Sequence, residues 1–180
     1  MNIQNRLVVM IEGNPEEDFI NKIVKPIFFE KNKYKDLVLY KYAKKPRIEI
    51  AKFIEAVHAI GDDILCIHDI DSAPCITEKK KQLQIEKVGN LDNNCIIIVT
   101  KEIESWYLAG IDKKYCKKLG IEYRQRTEKI SKKTFNEIVA KSKYKPKNYC
   151  MNEMIKYYDV SLAKSRNRSF NYFYTKQLEN

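Results

Sequence analysis

Four short apolar runs, each about the length of a buried strand, punctuate the N-terminal part of the chain and alternate with stretches of helical spacing. They occupy residues 7–11, 37–42, 64–70 and 95–100, are rich in Val, Ile, Leu or Tyr, and are bounded by polar residues. Between the first two, Phe19, Ile20, Ile23, Val24 and Ile27 form one helical stripe over residues 16–29. Asn14-Pro15-Glu16-Glu17 precedes that stripe as a start signal: an Asn cap, Pro at the first position, then acids facing the positive helix end. Residues 48–60 repeat the pattern with Ile50, Phe53, Ile54, Val57 and Ile60, closed by Gly61, and residues 77–88 read as a more polar helix.

The order β-α-β-α-β-α-β predicts an α/β fold with a four-stranded parallel sheet sandwiched by helices. In such sheets ligands gather outside the carboxyl ends of the strands. The acids sit there: Glu12 after the first run, Asp69 and Asp71 at the end of the third, Glu102 and Glu104 after the fourth.

Beyond Gly110 the long apolar runs stop. Residues 112–119, 132–143, 148–158 and 168–178 read as short basic helices, so the expected division is an α/β core over 1–110 and a helical appendage over 111–180, packed on that core. Charge follows the same division. Residues 1–110 carry 16 Lys/Arg against 17 Asp/Glu, whereas residues 111–180 carry 18 against 7. A lopsided basic segment suits a polyanion, usually nucleic acid, and equally describes solvated lysine-rich helix faces. No run approaches the ~18 apolar residues of a membrane span, and the start lacks the pattern of a secretory signal. The five cysteines are odd in number and contain no CxxC pair, and only two histidines are present. Those counts argue against a disulfide framework or a zinc site and point to a reducing cytoplasm.

Three acidic segments carry the chemistry. In Val9-Met10-Ile11-Glu12-Gly13-Asn14-Pro15-Glu16 a strand delivers a carboxylate and a Gly turns the chain into a helix. In His68-Asp69-Ile70-Asp71 the aspartates stand two apart, so in an extended strand both project the same way. Two like charges held together call for a compensating cation, and oxygen donors suit Mg²⁺ or Mn²⁺. His68 alternates with Asp69 and reads as a buried, hydrogen-bonded histidine on the other face. In Glu102-Ile103-Glu104-Ser105-Trp106-Tyr107-Leu108, Glu104 reads as a further ligand or a helix cap, and Trp106 and Leu108 as core.

Together these segments resemble the Toprim family, whose pattern is a Glu after the first strand and DxD after the third. More narrowly, VMIEGNPEEDFI, HDIDS, EIESWYLAG and SRNRSFNYF are similar to an uncharacterised Toprim-like family found beside ABC-type ATPases in phage-defence loci, related to the overcoming-lysogenization-defect nucleases. The resemblance implies Glu12 as general acid/base or ligand, Asp69 and Asp71 as metal ligands, and Glu104 completing or supporting the site. It implies Mg²⁺ or Mn²⁺ as cofactor, DNA or RNA as partner, an ATPase as a further partner, and a role in phage defence or DNA repair. The third motif reads EIES rather than an aspartate-rich run, and no catalytic-tyrosine module is present, so hydrolysis is the chemistry implied.

Metal-assisted phosphodiester hydrolysis needs carboxylates and a basic clamp for the flanking phosphates. Lys101 beside the acidic edge, and Lys132, Lys133, Arg166 and Arg168 in the basic segment, are the candidate nucleic-acid contacts. Tyrosines interleaved with lysines, among them Tyr144, Tyr149 and Tyr157, suit base stacking or helix packing. Three functions compete: a metal-dependent nuclease or phosphodiesterase, a non-catalytic nucleic-acid-binding or ATPase-partner subunit, and an aspartate-based phosphatase or receiver domain.

Overall fold

A computed structural model of the chain describes residues 6–31 and 33–179. The four expected strands form at β1 (Arg6–Ile11), β2 (Asp36–Lys41), β3 (Asp63–Asp69) and β4 (Ile96–Val99). They make one all-parallel sheet in the order β2-β1-β3-β4, flanked by helices. The chain winds outward from β1 to β2, then returns across β1 to β3 and β4. Connections therefore leave the carboxyl ends of β1 and β3 in opposite directions, which opens a crevice there.

Register sets which side chains share a face. Val8 pairs with Ile64 and Met10 with Cys66. These four belong to one buried cluster with Tyr42, Ile96 and Ile98, covered by Ile50, Ile54, Val57, Leu83 and Val88. The covering residues come from α3 (Arg47–Ala59), α4 (Ile76–Leu83) and the π-helical turn that follows α4 over Gln84–Val88. Carrying the alternation two residues further puts Glu12 and His68 on this same face and Asp69 on the opposite one.

The first helix departs from the expected start. α1 (Asn14–Phe19) has Gly13 as its cap rather than Asn14, and Glu16 Oε2 accepts the Gly13 N–H at 3.0 Å. A π-helical turn over Ile20–Val24 then leads into α2 (Lys25–Glu30). Widening the turn by one residue slips the apolar stripe, so Phe28 is fully buried where simple spacing predicts Ile27. Ile60, also expected on a stripe, is 62% exposed, because α3 ends at Ala59 and Gly61 turns the chain away at φ 76°.

Two compact units divide between Ile98 and Val99 rather than after Gly110. The second contains α5 (Glu104–Ala109), α6 (Lys113–Leu119), α7 (Lys132–Ala140), α8 (Lys147–Ile155), α9 (Val160–Arg166) and α10 (Arg168–Tyr174). α5 belongs here because every residue in it is buried and Glu104, Ser105, Trp106 and Ala109 are bonded to later residues. Trp106 Nε1–H donates to Ser169 Oγ at 2.9 Å, and its ring lies 5.3 Å from Phe170 and 5.2 Å from Phe173. Tyr158 O–H donates to the Trp106 carbonyl at 3.0 Å. Asn167 Nδ2 donates to Ser105 Oγ at 3.1 Å and Thr127 Oγ1 at 3.0 Å, while its Oδ1 caps α10 by accepting the Phe170 N–H. Helix α9, absent from the sequence expectation, starts where Asp159 Oδ1 accepts the Leu162 N–H at 2.9 Å.

Candidate functional site

The ends of β1 and β3 meet through Glu12. Its Oε2 accepts the Asp69 backbone N–H at 3.2 Å and lies 2.8 Å from His68 Nδ1. Tyr42 Oη, contributed by the residue after β2, is also 2.8 Å from His68 Nδ1. A carboxylate cannot donate, so the arrangement that satisfies Glu12 has the proton on Nδ1. Burial pushes the Tyr42 hydroxyl well above the ordinary phenol range, so it stays an O–H. His68 Nε2 then faces Asp71, 3.5 Å from Oδ2. Glu12, Tyr42, His68, Asp71 and Lys79 line a cavity of about 180 Å³.

Two expectations about this rim need correction. Asp69 and Asp71 do not project together as alternating strand residues. β3 ends at Asp69, and Asp71 lies beyond it in the left-handed region at φ 50°, which turns its carboxylate back to the His68 side. Asp71 is also not an uncompensated charge. Lys79 of α4, itself only 8% exposed, places Nζ 2.5 Å from Asp71 Oδ2. The group gathered on this face is thus Glu12, His68, Asp71 and Lys79, and Glu12 reaches Asp69 through its main chain. His68 is hydrogen-bonded and mostly buried as expected, but its partner is Glu12. The alternation of His68 and Asp69 carried that signal, since Glu12 stands in register with His68.

In the second unit, Glu104 is buried at the start of α5 and pairs with Lys147 Nζ at 2.7 Å. Arg166 cannot serve as a phosphate contact. It is 2% exposed, and its guanidinium donates to the carbonyls of Ala109 (2.9 Å), Ile111 (2.5 Å) and Arg124 while lying 4.3 Å from the Tyr123 ring centroid. Burial lowers its pKa from the usual guanidinium value. The sequence places it with Arg168 among the candidate nucleic-acid contacts flanking a helix start, and no local signal distinguishes the two. Lys101, Lys132, Lys133 and Arg168 are exposed.

Hard divalent cations take oxygen ligands. Among the described residues, Asp69 of the first unit and Glu102 and Glu104 of the second are carboxylates able to serve a metal ion. All five cysteines are free thiols, and burial pushes Cys66 up to about 12. No described helix is long and apolar enough to cross a membrane. Compared with family models, curated proteins and solved structures, the chain matches none.

Proposed function

We propose that the protein is a metal-dependent phosphodiesterase acting on nucleic acid, with Glu12 as its acid/base group. The observation that carries this reading is the position of Glu12: at the topological crevice of a parallel sheet, on the Asp69 amide and against His68, facing a cavity. A carboxylate held there by a main-chain N–H and an imidazole is oriented to take or deliver a proton. Asp71, after displacement of Lys79, supplies an oxygen donor for Mg²⁺ or Mn²⁺ on the Glu12 face, and Asp69 another at the end of β3. When bound, such a cation polarises a phosphoryl oxygen and lowers the pKa of water. Phage defence beside an ABC-type ATPase, or DNA repair, follows from the Toprim resemblance alone.

The test is cleavage of labelled single- and double-stranded DNA and RNA with Mg²⁺ or Mn²⁺. Glu12→Gln and Asp69→Asn are each expected to lower the rate at least roughly 100-fold while the melting temperature stays within a few degrees. Wild-type protein that cuts none of these substrates with either metal overturns the reading.

A second reading is a nucleic-acid-binding subunit without catalysis. It is favoured by the two lysines that already neutralise candidate ligands, Lys79 on Asp71 and Lys147 on Glu104. It predicts binding that persists in EDTA with no cleavage.

A further inference from the structure

We infer that the second unit binds single-stranded nucleic acid through the face formed by α6 and the segment 141–149. α6 and residues 141–145 together carry seven lysines and no Asp or Glu, a charge that suits a polyanion. α6 turns Cys116 and Leu119 inward and leaves Lys113, Lys114, Lys117 and Lys118 exposed. The segment 141–145 joins this surface at the α6 C-terminus. Lys143 N–H donates to the Leu119 carbonyl at 3.0 Å, and Ser142 Oγ–H donates to the same oxygen at 3.0 Å. Gly120, left-handed at φ 74°, closes the helix so tightly that an added Cβ would meet Lys143 Cγ at 3.2 Å. Exposed Lys141, Lys143 and Lys145 thereby extend the lysines of α6, and none of the three is in an ion pair among the described residues.

Aromatic rings are set among these charges. Tyr115 of α6 stacks on Tyr157 with ring centroids 4.1 Å apart, and Lys118 Nζ lies 4.5 Å from the Tyr157 centroid and 2.7 Å from its hydroxyl. Tyr144 and Tyr149 are in ring contact at 5.8 Å, and Tyr149 is 50% exposed. Folded duplexes hide their base faces, whereas single strands offer them to exposed rings while phosphates follow the lysines. That combination selects a single strand over a duplex, and over an acidic protein or anionic lipid, which would use the charge and not the exposed face of Tyr149. The face differs from the four exposed bases expected from sequence: Lys101, Lys132, Lys133 and Arg168. It rests on the nucleic-acid half of the reading above and not on cleavage.

Fluorescence anisotropy in EDTA, with labelled oligothymidylate and oligouridylate of about 20 nucleotides, tests it. Lys114→Glu/Lys117→Glu/Lys143→Glu is expected to weaken binding more than tenfold and to flatten the dependence of log affinity on log salt by about two units. Tyr149→Ala, a change at an exposed side chain that keeps the fold, is expected to weaken single-strand binding about tenfold and duplex binding much less. Affinities within twofold of wild type in both variants overturn the proposed face while leaving a nucleic-acid partner elsewhere on the chain. Wild-type protein that is retained by phosphatidylserine vesicles but binds neither oligonucleotide nor a duplex, or that binds nothing, overturns the face and the nucleic-acid reading together.

Discussion

Lys79 Nζ stands 2.5 Å from Asp71 Oδ2, so α4 supplies its own cation to the aspartate that the sequence pattern assigns to a metal. An ammonium on a carboxylate competes with any divalent ion for the same oxygen. Lys79→Gln is therefore expected to tighten Mn²⁺ binding by about tenfold in a calorimetric titration, a difference of about 1.4 kcal/mol. Unchanged affinity would mean that Asp71 is not a ligand. Asp71→Asn should lose that gain in a Lys79→Gln background, while Asn still tolerates the left-handed backbone at position 71.

Arg166 and Arg168 are two residues apart and have opposite duties. Removing the Arg166 guanidinium leaves the Ala109, Ile111 and Arg124 carbonyls without a donor they hold now. Arg166→Leu is expected to lower stability by about 3 kcal/mol in urea unfolding. Arg168→Ala, at an exposed position, should change it by less than about 0.5 kcal/mol. Equal effects would contradict the structural role of Arg166.

Asp62 binds Arg6 through the backbone N–H at 3.0 Å and the guanidinium at 2.6 Å, and those contacts hold its carboxyl below the ordinary range. A depressed carboxylate stabilises the fold above its unfolded pKa and loses that contribution as pH falls through the lower folded value. Thermal melts of wild type and Asp62→Asn should differ at neutral pH and converge as the pH falls below the ordinary aspartate value of about 4. A gap that stays constant into acid would show that the ion pair does not stabilise the fold.

The strands were legible because a parallel sheet buried on both faces demands continuous apolar runs, and such runs stand out against a charged background. Helix starts were less so. The Gly13 cap depends on Glu16 reaching back, and α9 depends on Asp159, both of them short polar signals common in loops. At the rim, the meeting of Glu12 with the end of β3 could be read from strand order, but the company it keeps could not. Asp71 leaves the alternation because the strand ends two residues earlier, and Lys79 arrives from a helix that looks solvated in sequence. Trp106 and Leu108 pack the interior as their hydrophobicity suggests. What drew α5 into the second unit was Ser105, Asn167 and Ser169, small polar residues whose buried hydrogen bonds leave no trace in a hydropathy pattern.

Glu12 and the amide it holds are 57 positions apart in the chain. Closing so large a loop costs entropy before any contact rewards it, so β1 and β3 pair late relative to the local helices. Until the third strand has been made, the edge of β1 that β3 covers has no partner. The rim geometry is consequently an all-or-none property: a chain truncated before Asp69 retains the acid of β1 without the main-chain donor that fixes it.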